Sequence, residues 1–382
     1  MAIGGGTAIA LAATGNGPVP KSEPLAKAVR QALAAPRPSG VSADITYTNH
    51  LFTSAELPGQ ASDPLLQGAS GRFWYAPAER SLRLELQTSN GDSNLLVRGR
   101  RFWISDPAQQ TVYEGTLPAG ASEVKGSGQA ALPSVAQIQS RLDRLAQRLD
   151  ISRAIPSDIA GQPAYTVRVS PKHDRGLLGA AQLAFDATRG VPLEFSVYAI
   201  GNPSPVLQVQ ATDISFGPVP PSVFAISPPA GYKVVRVSTP TAGATSVGGH
   251  GKVLHGIVAV RRALPFKLHA PARLAGLARH DVAGVGRAGE ASAIITYGRG
   301  LGSIVVIERP AAGAQPLLGS SRIGASQGTG GLVLPTVRID GVKGRELDTA
   351  LGTVLSFERG GVSYTLLGSV APRVAEKAAR QL

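Results

Sequence analysis

At 382 residues the chain exceeds one ordinary compact domain and points to two, each long enough to bury its own core. Hydrophobic residues at 43% and charged residues at 16% exclude a disordered chain, and the absence of cysteine excludes disulfides, thiol catalysis, cysteine-ligated zinc and a lipid-modified cysteine. The net charge of +13 raises nucleic acid as a partner, but the basic residues are scattered and aromatic residues make up only 5%, so no base-stacking platform is visible and nucleic acid is not expected.

The segment Ala2–Ala13 is apolar but only 12 residues long, too short to span a bilayer. It reads either as the tail of a signal peptide or signal anchor, with small residues at Ala10-Leu11-Ala12, or as a flexible terminus; the first is preferred. Residues 1–20 are thus an apolar remnant and a linker, and an extracytoplasmic location follows, secreted or held at the outer face of the cytoplasmic membrane. From Ser22, a plausible N-cap, to Leu33 the spacing of Leu25, Val29, Ala32 and Leu33 predicts a helix that Pro36 and Pro38 stop.

Forty-six glycines and 29 prolines favour short strands joined by turns. Leu82, Leu84 and Leu86 alternate with Arg83, Glu85 and Gln87, and similar period-two patterns recur at Ile45/Tyr47, Phe73/Tyr75, Phe102/Ile104, Tyr165/Val167/Val169, Leu183/Phe185 and Leu193/Phe195/Val197. Together they predict one antiparallel meander of about ten strands with one apolar face. Within it, Ser134–Asp150 changes to helical period, with Ile138, Leu142, Leu145 and Leu149 on one side and Arg141, Arg144 and Arg148 on the other. A sheet this wide, covered by two helices, either curls around an unfilled cavity or packs shut as an ordinary core.

The Pro-rich stretch Pro218–Pro229 and the Gly/Ser/Thr-rich stretch after it place a linker at 238–251, between a first unit at 21–237 and a second at 252–382. Residues 1–240 hold 21 basic and 17 acidic residues, a net of +4, whereas 241–382 hold 17 and 8, a net of +9. That charge suits anionic lipid head groups, with an attraction that salt would screen. Strand-like runs at Ala291–Tyr297, Ser303–Glu308, Arg338–Asp340, Thr353–Glu358 and Val362–Leu367, then a helix at Pro372–Leu382, read as a smaller α+β unit.

Reaction chemistry is hard to find. Gly324-Ala325-Ser326-Gln327-Gly328 has the spacing of a nucleophile elbow, but the Thr329-Gly330-Gly331 that follows opens no helix. Gly284–Gly289 matches a dinucleotide fingerprint, yet a strand-like run follows the glycines instead of a helix. His250, His255, His269 and His280 lack converging partners for a metal, and no paired carboxylates are readable. No enzyme, metal or cofactor is expected.

Residues 22–235 resemble the LolA-like lipoprotein-carrier superfamily, including its RseB-type sensors. The resemblance rests on Phe102-Trp103-Ile104-Ser105-Asp106-Pro107 with Gln110–Tyr113, and on Pro218–Phe224 with Pro228-Pro229-Ala230-Gly231. It implies an α+β fold in which a curved antiparallel sheet, an unclosed barrel, is covered by helices and holds the acyl chains of a lipid or lipoprotein. It implies no catalytic residue. The candidate lining is then Phe73, Tyr75, Leu82, Leu84, Leu86, Phe102 and Ile104 from the sheet, with Ile138, Leu142, Leu145 and Leu149 from the inserted helix. A second reading is implied by the likeness of the two-unit plan to RseB-type sensors: a regulatory sensor whose second unit contacts a membrane-bound anti-sigma factor or similar protein.

Overall fold

The computed structural model describes residues 17–52, 68–87, 91–107, 110–117, 132–173, 176–237, 254–285, 291–311 and 334–382. The described residues form an α+β fold with two separate sheets. The serine-centred motif at 324–328 lies outside them, as do 2–13, 238–251 and the later part of the glycine fingerprint.

The first sheet has thirteen strands. Six come in succession: β1 (Val41–Asn49), β2 (Gly68–Ala76), β3 (Ser81–Gln87), β4 (Ser93–Arg98), β5 (Arg101–Asp106) and β6 (Thr111–Thr116). After a helix come β7 (Leu149–Ile151), β8 (Ile155–Ile159), β9 (Gln162–Pro171), β10 (Leu178–Asp186), β11 (Pro192–Ala199), β12 (Leu207–Phe216) and β13 (Lys233–Val237). The order is β13-β6-β5-β4-β3-β2-β1-β12-β11-β10-β9-β7, with β8 paired to β9, so the sheet is open and both ends are edges. The expected single meander is in fact two. They join where β1 lies antiparallel to β12, from Val41 opposite Phe216 to Asn49 opposite Leu207, with a bulge between Asp44 and Ile45. β13 adds parallel to β6, which no pattern of alternation could announce.

Helix α1 (Leu25–Ala34) begins after Pro24 without a side-chain cap, so Ser22 does not cap it. The rigid φ of Pro24 presets the first turn instead. Ala28, with Leu25 and Ala32 beside it, packs on Tyr165 and Phe185, and the Tyr165 hydroxyl donates to Lys21 O at 2.7 Å. The helix end meets the β10–β11 turn, where Gly190 has φ +66° and a Cβ would lie 2.4 Å from Ala32 O. Only glycine meets both conditions.

Helix α2 (Val135–Ala146) is shorter than its hydrophobic spacing suggested. Ser134 Oγ accepts from Gln137 N–H at 3.2 Å and Gln137 Oε1 accepts from Ser134 N–H at 2.9 Å, a complete capping box. The helix stops before Leu149, which lies on β7, so the predicted four-residue stripe loses its last member to the sheet. The edge pairing of Leu149 with Pro171 outweighs one further helical turn.

The second sheet has nine strands and a larger continuous core. It comprises β14 (Leu254–His255), β15 (Arg273–Leu274), β16 (Leu277–Val285), β17 (Ser292–Tyr297), β18 (Ile304–Pro310), β19 (Thr336–Ile339), β20 (Val342–Thr349), β21 (Gly352–Arg359) and β22 (Val362–Gly368). Helices α3 (Ile257–Ala263) and α4 (Pro372–Ala379) cover one face, burying Val260, Ala375 and Ala378 against Ile295, Val306, Leu355 and Leu366. Sequence patterning missed α3, β16 and β20. β20 alternates around Lys343, Arg345 and Glu346 and so lacks an apolar signature.

The two sheets meet through backbone and hydroxyl contacts. Ser369 Oγ accepts from Leu177 N–H at 2.8 Å and donates to Leu351 O at 2.7 Å, while Ala350 N–H donates to Leu51 O at 2.9 Å.

Candidate functional site

Residues directly opposite one another in neighbouring strands share a face. One row across the first sheet therefore runs Tyr113, Ile104, Leu95, Leu84, Phe73, Ala43, Ile214. A second runs Phe102, Val97, Leu82, Tyr75, Val41, Phe216. On the same face a third runs Val167, Leu183, Phe195, Val209, Tyr47, Ala69. The alternation read from the sequence thus assembles a single apolar face across both meanders.

The opposite face carries polar side chains that pair with one another, beside a small apolar cluster. Glu85 is ion-paired to Arg72 at 2.7 Å and to Arg83, and both guanidiniums lie over Trp74, at 5.4 and 5.0 Å from the ring centre. Glu194 Oε1 accepts from Gln182 Nε2 at 3.0 Å, Ser196 Oγ at 2.6 Å and Gln208 Nε2 at 3.2 Å. The Pro-rich stretch lies on this face, where Val219 and Phe224 pack with Leu96, Trp74 and Trp103.

The apolar face is covered unevenly. α1 covers it over β9 and β10 at Tyr165 and Phe185, and α2 lies against α1 and β7. Leu86 is buried, with Phe73 and Leu84 packed beside it in a core that includes Ile45, Ile159 and Ile214. Elsewhere large side chains stay in contact with solvent: Ile104 is 37% exposed, Tyr75 and Leu183 40%, Val209 42% and Phe195 51%. Isolated exposed hydrophobics are ordinary on any protein. Leu183, Phe195 and Val209 are different, because they stand directly opposite one another on β10, β11 and β12.

Of the sequence-derived lining, Phe73, Tyr75, Leu82, Leu84, Leu86, Phe102 and Ile104 all fall on this face. The helix contributes less coherently: Ile138 is buried, Leu142 half-buried and Leu145 exposed, and Leu149 belongs to β7. The residues the sequence reading passed over are Leu183, Phe195 and Val209. The alternation at Leu183 and Phe195 was visible and that at Val209 was not read, and which strands neighbour one another depends on the β1–β12 joint, which pairs residues about 170 positions apart in the chain.

The face offers little acid–base chemistry. Burial, and secondarily the charge of Asp106, pushes the Tyr113 hydroxyl upward, so it stays a neutral donor. Among the described residues no group of three or more His, Asp or Glu side chains is placed to hold a metal ion. No helix among them is long and apolar enough to cross a membrane.

No family model matches the chain, and no curated protein matches it. Similar solved structures exist. A chain of the Pseudomonas aeruginosa MucA/MucB complex is 17% identical with a TM-score of 0.42, covering 93% of this chain and 96% of that one. The crystal structure of MucB is 16% identical with a TM-score of 0.37 and the same coverage. A LolA superfamily protein from Nitrosomonas europaea is 11% identical with a TM-score of 0.20, covering 54% of this chain and 99% of that one.

Proposed function

We propose that the chain is an extracytoplasmic, non-enzymatic binding protein that takes the acyl chains of a lipid or lipoprotein against the apolar face of its first unit, residues 21–237. The observation that carries this reading is the in-register exposure of Leu183, Phe195 and Val209, on the same face of the sheet as Tyr75 and Ile104. An acyl chain requires area and no reaction chemistry, and burial contributes about 25 cal/mol for each Å2 removed from water. The lining comprises Phe73, Tyr75, Leu82, Leu84, Phe102 and Ile104 with the Leu183 row, while Leu86 and Ile138 anchor its floor and helix.

The test is native mass spectrometry with organic extraction of protein purified from a bacterial host without detergent, followed by titration with cis-parinaric acid. Co-purifying acyl lipid, or saturable uptake of the probe, supports the reading. Phe195→Glu should weaken uptake by at least about tenfold, the worth of one aromatic contact, with little change in melting temperature because Phe195 is half-exposed. A clean protein that takes up no probe would overturn it.

A second reading, a sensor in which the second unit reports occupancy of the first to a membrane-bound partner, is favoured by one feature. Leu177, bonded to Ser369, immediately precedes β10, the strand that carries Leu183. Changed amide exchange around 350–352 and 369 on probe binding is the expected sign of a sensor; no change there leaves a carrier.

A further inference from the structure

We propose that the outer face of the β19–β20 hairpin docks the protein on an anionic phospholipid bilayer. This deepens the extracytoplasmic reading above by naming a membrane-facing surface, but it concerns the second unit and does not require the acyl-chain site.

In the second sheet the inner face is fixed by Ile295, Val306, Glu308, Leu366, Phe357 and Ile339, all buried. Ile339 stands opposite Val342 and Gly344 opposite Phe357, so the residues between them face outward. Those residues are Arg338, Lys343 and Arg345, and all three are exposed. Arg338 stands directly opposite Lys343, and Arg345 follows two positions along the same face. Among the described residues none of the three takes part in an ion pair. Like charges directly opposed in an antiparallel pair oppose sheet formation. The sequence could have relieved this with one acidic residue at 338 or 343 and does not.

Basic residues on an edge strand also discourage unwanted strand pairing. That explanation covers Arg338 on the edge strand β19 but not Arg345, which is on β20, one strand further in. Continuing across the outer face, Leu347, Val354, Leu367 and Val305 form a directly opposed, half-buried apolar row. Cations beside an apolar row on one sheet face suit the interface of an anionic bilayer, where phosphates meet the ammonium and guanidinium groups and the apolar row meets the head-group boundary. The second unit's excess of 17 basic over 8 acidic residues adds long-range attraction of the same sign.

The experiment is co-sedimentation of the full chain with vesicles of phosphatidylcholine alone or mixed with phosphatidylglycerol, at low and high salt. The expected result is binding that requires phosphatidylglycerol, fades with salt, and falls at least about tenfold in K343E/R345E. A neutral K343Q/R345Q variant should fall less, and R261E/R262E, which alters the exposed arginines of α3, should bind nearly as well as the unaltered chain. Cis-parinaric acid uptake, measured on the same samples, should be unchanged in all three variants, so failure of docking and failure of acyl binding stay distinguishable. Equal losses in the hairpin and α3 variants would reduce the effect to net charge and overturn the proposal. Absence of binding to phosphatidylglycerol vesicles would also overturn it, as would capture of a poly-glutamate peptide through the same residues without vesicle binding.

Discussion

Glu308 is the residue on which the second unit depends most sharply for its response to pH. It is wholly buried on β18; its Oε2 accepts His269 N–H at 3.0 Å, and its Oε1, like the nearby Tyr297 hydroxyl, has no partner among the described residues. Burial raises its carboxyl from 4.5 to about 7, only partly offset by the His269 N–H. Burial pushes the Tyr364 hydroxyl up as well, to about 12, helped by the charge of Glu308. The folded chain therefore holds a proton that the unfolded chain releases at lower pH, so stability is full below about 4.5 and declines as pH rises to about 7. The difference is on the order of 3 kcal/mol. Melting curves at pH 5 and pH 8 should show the second unit less stable at the higher pH. Glu308→Gln, neutral throughout and still able to accept from His269 N–H, should flatten that slope. It should not abolish it, because Glu346 is also raised to about 7 by burial and by Glu376 and Asp348. An unchanged slope in the glutamine variant would remove Glu308 from the explanation.

Among the elements, α2 was the most legible from sequence and also the one most instructively misread. Ser134 marked its start, and the structure completes a capping box there with Gln137, which is local chemistry written in four residues. Its end was missed because Leu149 continues the helical spacing, while the competing partner, Pro171 on β9, lies 22 positions ahead. The same division explains the sheets. Alternation located strands such as β3 and β10, but the thirteen-strand order, the parallel β13 and the Leu183 row rest on pairings between distant segments that no local pattern encodes. Ser134→Ala should cost about 1 kcal/mol and fray the first turn of α2, seen as faster amide exchange at Gln137 and Ile138. Because α2 lies against α1 and β7, the sheet face itself should keep its exchange protection.

At the scale of the whole molecule, Ser369 joins the two sheets by accepting from Leu177 N–H, while its donation to Leu351 O, within the second sheet, holds the hydroxyl in place. A hydroxyl used in both directions has no good substitute: alanine leaves one donor and one acceptor unpaired, at a cost of roughly 1–3 kcal/mol. Ser369→Ala should therefore separate the calorimetric melting of the two sheets into distinct transitions, with each sheet's own core intact. Melting as before would show that the sheets are coupled by other means. The expected boundary near 238 rests on a low-complexity stretch and a change in charge balance, which depend on composition and not on pairing.

The joint between β1 and β12 also sets a timetable. Val41 must wait for Phe216 before its strand gains a second neighbour, so six strands can be complete while β1 still presents an unpaired edge. Closing that joint requires a long loop to be searched, which slows folding and prolongs the interval in which the apolar face lacks its other half. A chain stopped before residue 207 should therefore self-associate more readily than one that includes β12, and light scattering of the two fragments on refolding would show the difference.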